Sequence, residues 1–404
     1  MINQLRLLLV LPVFFSFSSC ASPEADSKAK SPASIHIDRS VLNYEPEKGN
    51  KRIDAFMKEL HRKYAFNGNV LIAKKGKIIY QNSFGWADYL RRDSLKTGSV
   101  FELASVSKPF TATAILMLVE QGKLRLDQNV KDFFPNFPYE GITVRLLLTH
   151  RSGLTNYVYF TDTVWKQKRK GMSNTDVMNL LAQRKPKLYS RPNKHFHYNN
   201  SNYMVLGAIV EKVTGMSFTK FMQKNIFEPC DMQNTHVYSK VDYDKIPADV
   251  IGHDKTWKRS VVQNFLDGPV GDKGIYSTIQ DLYLFDRYMR AGKLLKPATL
   301  DSAYATTHNP LERGHFGYGY GWRLFQGKGQ KIAYHTVWWH GFRHIYLRDL
   351  DEDITVILLT NLTNGSLLKL DELFNMVGMP IVRKSAYLGN GQLAPSLHQQ
   401  ATHD

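Results

Sequence analysis

Between Ile53 and Tyr64 the apolar residues fall three and four apart, the spacing that gives an amphipathic helix one buried stripe. The pattern then changes. Val70–Ala73 and Ile78–Phe84 are short apolar or alternating runs separated by Lys74-Lys75-Gly76-Lys77, which predicts a β-hairpin. A continuous apolar stretch from Phe110 to Val119 predicts a buried helix, with Pro109 tolerated because it stands near the helix start. From about Asp127 to Val262 helical signals and long loops dominate, with helices at Val144–Thr149, Asn174–Arg184, Tyr203–Thr214 and Phe218–Ile226. Strand character returns at Gly274–Ser277 and prevails from Tyr320 to Asn361, after a helix over Thr278–Arg290. Sheet-forming segments at both ends and a helical middle predict an α/β (α+β) architecture, a sheet domain with a large helical insertion over about 127–262.

Three motifs carry chemistry within this frame. Ser105-Val106-Ser107-Lys108 stands at the start of the apolar helix, where residues three apart share a face, so the Lys108 amine can reach the Ser105 hydroxyl. A serine hydroxyl is a weak nucleophile and needs a neighbour to take its proton; lysine does so where desolvation or nearby cations favour its neutral form. Tyr198-Asn199-Asn200 follows the turn residues Arg191-Pro192-Asn193, and in a turn its tyrosine and second asparagine point into one cleft. There Tyr198 shares the serine proton and Asn200 holds a substrate amide or the lysine. His335-Thr336-Val337-Trp338-Trp339-His340-Gly341-Phe342 precedes strand-like runs and offers a cationic or hydrogen-bonding group beside an edge of backbone. The three motifs come from separate regions, which places the cleft where sheet and insertion meet.

Other residues read more plainly. His150 is expected to fix its own turn, His195 and His197 to line a polar loop rather than ligate a metal from one face of a strand, and His340 and His344 to lie on the surface. Ser107 reads as a helix-face support. Cys230 has no partner once Cys20 is set aside and reads as a buried, inert thiol. No metal-ligand spacing such as His-Glu-x-x-His occurs, and no metal or cofactor is expected.

Around the three motifs stand Gly68-Asn69-Val70-Leu71-Ile72-Ala73, Gly122 to Asp127, Ile142 to Leu154, Gly271 to Thr278 and Tyr318-Gly319-Tyr320-Gly321-Trp322. With them, from about Asn67 to Leu368, the chain resembles the serine beta-lactamase and penicillin-binding-protein superfamily, in the class C-like branch that also holds D-stereospecific peptidases and carboxylesterases. The resemblance implies an antiparallel sheet flanked by helices, Ser105 as acylated nucleophile, Lys108 as its proton acceptor or relay, and Tyr198 and Asn200 as the tyrosine and asparagine of the second motif. It puts His335 at the head of the third motif, with Thr336 and Trp338 beside it on the substrate, and the backbone N–H groups of Ser105 and Trp338 in the oxyanion hole. Where the third motif usually has glycine this chain has Val337, whose branched side chain is expected to crowd the strand and, with Trp338, to narrow the cleft. Two functions follow. One is an extracytoplasmic serine hydrolase acting through a Ser105 acyl-enzyme on an ester, amide or D-peptide-type substrate, in preference to a dedicated beta-lactamase; the other is a noncatalytic binding or sensing protein on the same fold.

Composition changes the picture in two places. A formal charge of +17 over 404 residues reads first as a basic solvated surface and secondly as suited to an anionic neighbourhood such as cell-wall polymer or lipid headgroups, while the lysines are too dispersed for a nucleic-acid-binding module. At the start, Arg6, the apolar run Leu7–Phe17 and Ser18-Ser19-Cys20 read as a signal peptide over 1–19 whose cleavage exposes Cys20, a pattern that resembles the lipobox of bacterial lipoproteins. Cys20 is then the lipidated residue, 20–49 a tether, 50–385 the catalytic domain and 386–404 a flexible tail. This places the protein in the bacterial cell envelope, outside the cytoplasm and held to the membrane by its lipid.

Overall fold

Apolar alternation on the N-terminal hairpin is completed by strands from the far end of the chain. The computed structural model describes residues 37–241, 250–257, 263–306, 316–327 and 329–379. Strands β1 (Gly68–Lys74), β2 (Lys77–Phe84), β3 (Phe316–Tyr318), β4 (Arg323–Gly327), β5 (Gln330–Thr336), β6 (Arg343–Asp349) and β7 (Ile354–Thr360) form one sheet in the order β2-β1-β7-β6-β5-β4-β3. Every neighbouring pair is antiparallel, and Val70 and Ile345 both lie opposite Leu358.

Both faces of the sheet are covered, which is why β7 is buried at every position instead of alternating. Val70, Ile72, Ile345, Leu347, Val356 and Leu358 pack with Ile53, Met57 and Leu60 of α1 (Lys51–Tyr64) and the C-terminal helix Asp371–Val377. The opposite face, including Ala333, Tyr346, Ile357 and Leu359, joins the larger core around α2 (Ser107–Glu120), α3 (Asn174–Arg184), α4 (Asn200–Thr214) and α5 (Ile279–Arg290). Helix α2 runs through the middle of that core, and its continuous apolar run reflects burial on all sides. A buried carboxylate fastens α5 to the sheet: Asp286 accepts from Arg348 Nε, Arg290 Nε at 3.0 Å and Thr355 Oγ1 at 2.8 Å. Burial alone raises the Asp286 pKa, but Arg290, Arg348 and Arg287 outweigh it and hold the carboxyl down at about 2.

The expected hairpin, the helical middle and the strand-rich end are all present. Asn174–Arg184 is reproduced residue for residue, while Phe218–Ile226 is α-helical only to Met222 and continues as a π turn over Gln223–Phe227. One expectation needs correction. The helical start near Ser105 is present, as a 3-10 turn over Ala104–Val106 that runs into α2, but Asn200 is the first residue of α4 rather than part of a turn. The reason is capping: Asn199 takes the N-cap position and accepts the Ser201 N–H at 2.8 Å, so the helix begins three residues before its apolar periodicity. His195, Phe196 and His197 form no strand; all three are exposed in a loop. Cys20, the signal segment, the first part of the tether and the tail from 386 lie outside the described residues. Among the described residues no helix is long and apolar enough to cross a membrane.

Candidate active site

A small sheet sets the position of the serine. Phe101–Glu102 pairs with Ile275–Ser277, which pairs in turn with His236–Val237. Leu103 continues the attachment through its N–H to Ile275 O at 2.8 Å, and the next residue, Ala104, takes φ 42°. A left-handed alanine is strained. It turns the chain sharply from strand into the 3-10 turn and leaves Ser105 half-buried while its neighbours Ala104 and Val106 are buried. Ser107 supports the turn from below, its hydroxyl accepting the Ile275 N–H at 3.2 Å.

Lys108 is fully buried and its Nζ lies within hydrogen-bond distance of three oxygens, Ser105 Oγ at 3.1 Å, Asn200 Oδ1 at 2.9 Å and the Asp272 carbonyl at 3.0 Å. It also lies 5.1 Å from the centre of the Tyr198 ring and 5.8 Å from that of Tyr203. Among the described residues no carboxylate forms an ion pair with it. Arg323, at the start of β4, stands 4.8 Å from the Tyr198 ring centre, so the lysine amine and a guanidinium share one tyrosine.

His335, near the end of β5, is fully buried with its ring 6.1 Å from that of Tyr198. Burial first, then Arg323 and Lys108, push its pKa well below the usual imidazole range. It is therefore a neutral hydrogen-bonding group, and the cationic alternative falls away. Its Nδ1 lies 3.0 Å from Thr336 O; a neutral ring must donate there, which leaves Nε2 as a buried acceptor without a partner among the described residues. Thr336 is half-buried at the strand end, and Trp338 is exposed, with the Arg343 guanidinium 4.5 Å from its ring centre. Val337 and Trp339 donate their N–H groups to His344 O and Phe342 O, both at 3.2 Å, whereas the Trp338 N–H between them donates to no described residue.

A family model described as Beta-lactamase matches residues 51–373. The chain belongs to the beta-lactamase family. It is 35% identical over 331 residues to penicillin-binding protein 4* of Bacillus subtilis (strain 168), covering 78% of this chain and 72% of that protein. Among solved structures it resembles the octameric penicillin-binding protein homologue from Pyrococcus abyssi, with a TM-score of 0.70 at 25% identity over 84% of this chain and 79% of that one. It also shares its fold with the D-amino acid amidase from Ochrobactrum anthropi SV3, with a TM-score of 0.66 at 22% identity over 77% and 91% of the two chains.

Against this family's pattern, the glycine-to-valine departure has a different consequence from the one expected. Val337 is 5% exposed and belongs to the larger core, so its bulk is packed among core side chains. Trp338, by contrast, is exposed. The surface assignment of His344 is also corrected: it is fully buried, its Nδ1 accepting the Thr360 N–H at 3.1 Å and its Nε2 meeting Glu102 O at 2.7 Å. His340 is nearly covered as well. His150 does serve hydrogen bonding, but across loops: its Nδ1 receives Asn199 N–H at 3.2 Å and Asn202 Nδ2 at 2.9 Å, which seats the second motif. Cys230 is buried, and burial pushes its thiol pKa up, the condition of an inert cysteine. Among the described residues no group of three or more His, Cys, Asp or Glu is placed to hold a metal ion. The Asp272 carbonyl, Arg323 and the strained Ala104 escaped the sequence reading; a backbone acceptor leaves no side-chain signal, although Asp272 lies in a segment that carried the resemblance.

Proposed function

We propose that this protein is a serine hydrolase that works through an acyl-enzyme on Ser105, cleaving an ester, amide or D-peptide-type bond. The observation that carries the reading is the triple contact of Lys108 with Ser105, Asn200 and the Asp272 carbonyl. To act as a base Lys108 must react in its neutral form, which has two N–H bonds and one lone pair. Asn200 Oδ1 and Asp272 O accept the two N–H bonds, and the lone pair is left for the Ser105 hydroxyl proton. As Oγ attacks the carbonyl, Lys108 takes that proton and Tyr198, packed on the amine, passes it to the leaving group. The Ser105 and Trp338 N–H groups bind the oxygen that becomes negative, and the neutral His335 Nε2 accepts a donor from the substrate. Water then enters as the second nucleophile and the same groups release the acid. The B. subtilis relative, a penicillin-binding protein by name, supports an acyl-transfer site, as does membership of the family. Preference for peptide or ester over beta-lactam now rests on exposed Trp338 alone, since Val337 does not crowd the cleft. Its envelope location, class C-like character and Cys20 anchor are proposed on the sequence signals.

The test is intact-protein mass after treatment with a fluorophosphonate and, separately, a penicillin. We expect one fluorophosphonate adduct, absent from Ser105→Ala and from Lys108→Met. A folded native chain that takes up neither reagent would refute the enzymatic reading and favour a binding protein.

A further inference from the structure

The turn that carries Trp338 is fastened to a buried carboxylate that belongs to none of the three motifs. Trp339 Nε1 donates to Asp267 Oδ1 at 3.0 Å, and His340 Nε2 lies 3.8 Å from the same oxygen. Asp267 is 4% exposed and is itself held, its Oδ2 accepting the Asn264 N–H at 2.6 Å in a capping box. The Trp339–Phe342 turn closes by reciprocal backbone bonds of 3.2 and 2.7 Å, with His340 at φ 43° and Gly341 at φ 86°. A Cβ on Gly341 would stand 2.4 Å from His253 N, so the turn is pressed onto neighbouring backbone and has little room to shift as a body.

The face of the Trp339 ring is also occupied. Lys273 Nζ lies 5.3 Å from a Trp339 ring centre and is held by Asp272 Oδ2 at 3.3 Å and by the Tyr157 hydroxyl. The carbonyl of that same Asp272 accepts from Lys108. One connected set of contacts therefore runs from the general base, through Asp272 and Lys273, to the tryptophan beside the oxyanion donor.

We propose that Asp267, acting through the Trp339 indole, is a positioning residue that fixes the Trp338 N–H in the oxyanion hole. The inference rests on the acyl-enzyme reading above. An oxyanion donor works only at about 2.7–3.1 Å from the developing charge, and displacement of a reacting group by about 1 Å can cost on the order of 100-fold in rate. The Val337 side of the peptide is anchored in β-type pairing with His344; the Trp339 side is anchored through the indole.

The experiment is the kinetics of Ser105 phosphonylation by a fluorophosphonate in the full chain, with the limiting rate and the half-saturating concentration measured separately. Trp339→Phe keeps a ring against Lys273 and removes only the donor; Asp267→Leu removes the acceptor; Asp267→Asn keeps an oxygen that can accept. Trp339→Phe and Asp267→Leu are expected to slow the limiting rate at least about tenfold, with half-saturation changed by less than about twofold, because the interaction is used in the transition state. Asp267→Asn is expected to recover to within about threefold of native, and the double variant Asp267→Leu/Trp339→Phe to be no slower than the slower single variant. Native limiting rates in folded Trp339→Phe overturn the proposal, as does Asp267→Asn as slow as Asp267→Leu. Should Asp267→Leu fail to fold, Trp339→Phe decides alone. A native chain that is never phosphonylated overturns the enzymatic reading itself and the positioning role with it, an outcome distinct from equal rates in native and variants.

Discussion

Replacing Val337 with the glycine usual in the third motif tests whether that residue shapes the cleft or the core. With its side chain 5% exposed, Val337→Gly removes a core side chain, worth about 2 kcal/mol on burial, and adds backbone freedom worth about 0.5–1 kcal/mol in the unfolded chain. The expected loss is about 3 kcal/mol. Unfolding entropy of about 2 cal/mol/K per residue, taken over the family-matched region 51–373, converts this to a fall in Tm on the order of 4 °C. Acylation should not accelerate, because no volume at the mouth is released. Scanning calorimetry gives the first quantity and intact-mass kinetics with a penicillin the second. An unchanged Tm, or a penicillin acylation rate raised tenfold, would show that the side chain occupies the cleft and that the packing argument is wrong.

Asn200→Ala removes the side-chain acceptor that orients the buried Lys108 amine, a hydrogen bond worth about 0.5–1.5 kcal/mol to the fold, so Tm should fall slightly and Ser105 phosphonylation should slow about tenfold or more. Glu102 is fully buried, and burial first, then Asp267, push its pKa up to about 8. The folded protein thus holds a proton that the unfolded chain releases near pH 4.5, so this group's contribution falls as pH rises from about 5 to 8. Glu102→Gln should flatten the pH dependence of denaturant midpoints across that window, and an unaltered slope would refute the assignment. For Asp286 the sign is opposite: with a folded value of about 2 against 3.8, it contributes about 2 kcal/mol above pH 4 and loses this as pH falls through 2. Asp286→Asn should remove that acid-side slope and cost about 3–5 kcal/mol at neutral pH by stranding Arg348, read from denaturant unfolding.

What the sequence revealed about the site depended on how locally each contact is encoded. Ser105 and Lys108 are three apart, a spacing that brings them together in either a 3-10 or an α turn, so the pair forms although the helix opens with a 3-10 turn. Asn200 was correctly grouped with the lysine but misplaced in a turn, because hydrophobic periodicity marks where a helix packs and capping marks where it starts. His344 was misread for a different reason. Polar residues on a strand suggest a solvated face, yet this sheet has no solvated face at β6, and the imidazole instead joins Glu102 O to the β7 backbone.

Val337 shows the limit of reading a motif by position alone. Its identity was legible, but its direction depends on the chain leaving β5 after Thr336, where regular alternation ends and the Val337 side chain enters the core while Trp338 stays outside. The same geometry explains why this chain tolerates a branched residue at a glycine position. A side chain pointing into the core leaves the backbone edge open, and the adjacent Trp338 N–H keeps its freedom from intramolecular pairing among the described residues. The groups that hold this edge in place, Asp267 and Lys273, lie 72 and 66 residues from Trp339 and follow no local periodicity, so only the folded chain brings them to it. A donor whose own side chain is solvent-exposed must be oriented by its neighbours, and here those neighbours are the buried Val337 on one side and the clamped Trp339 on the other.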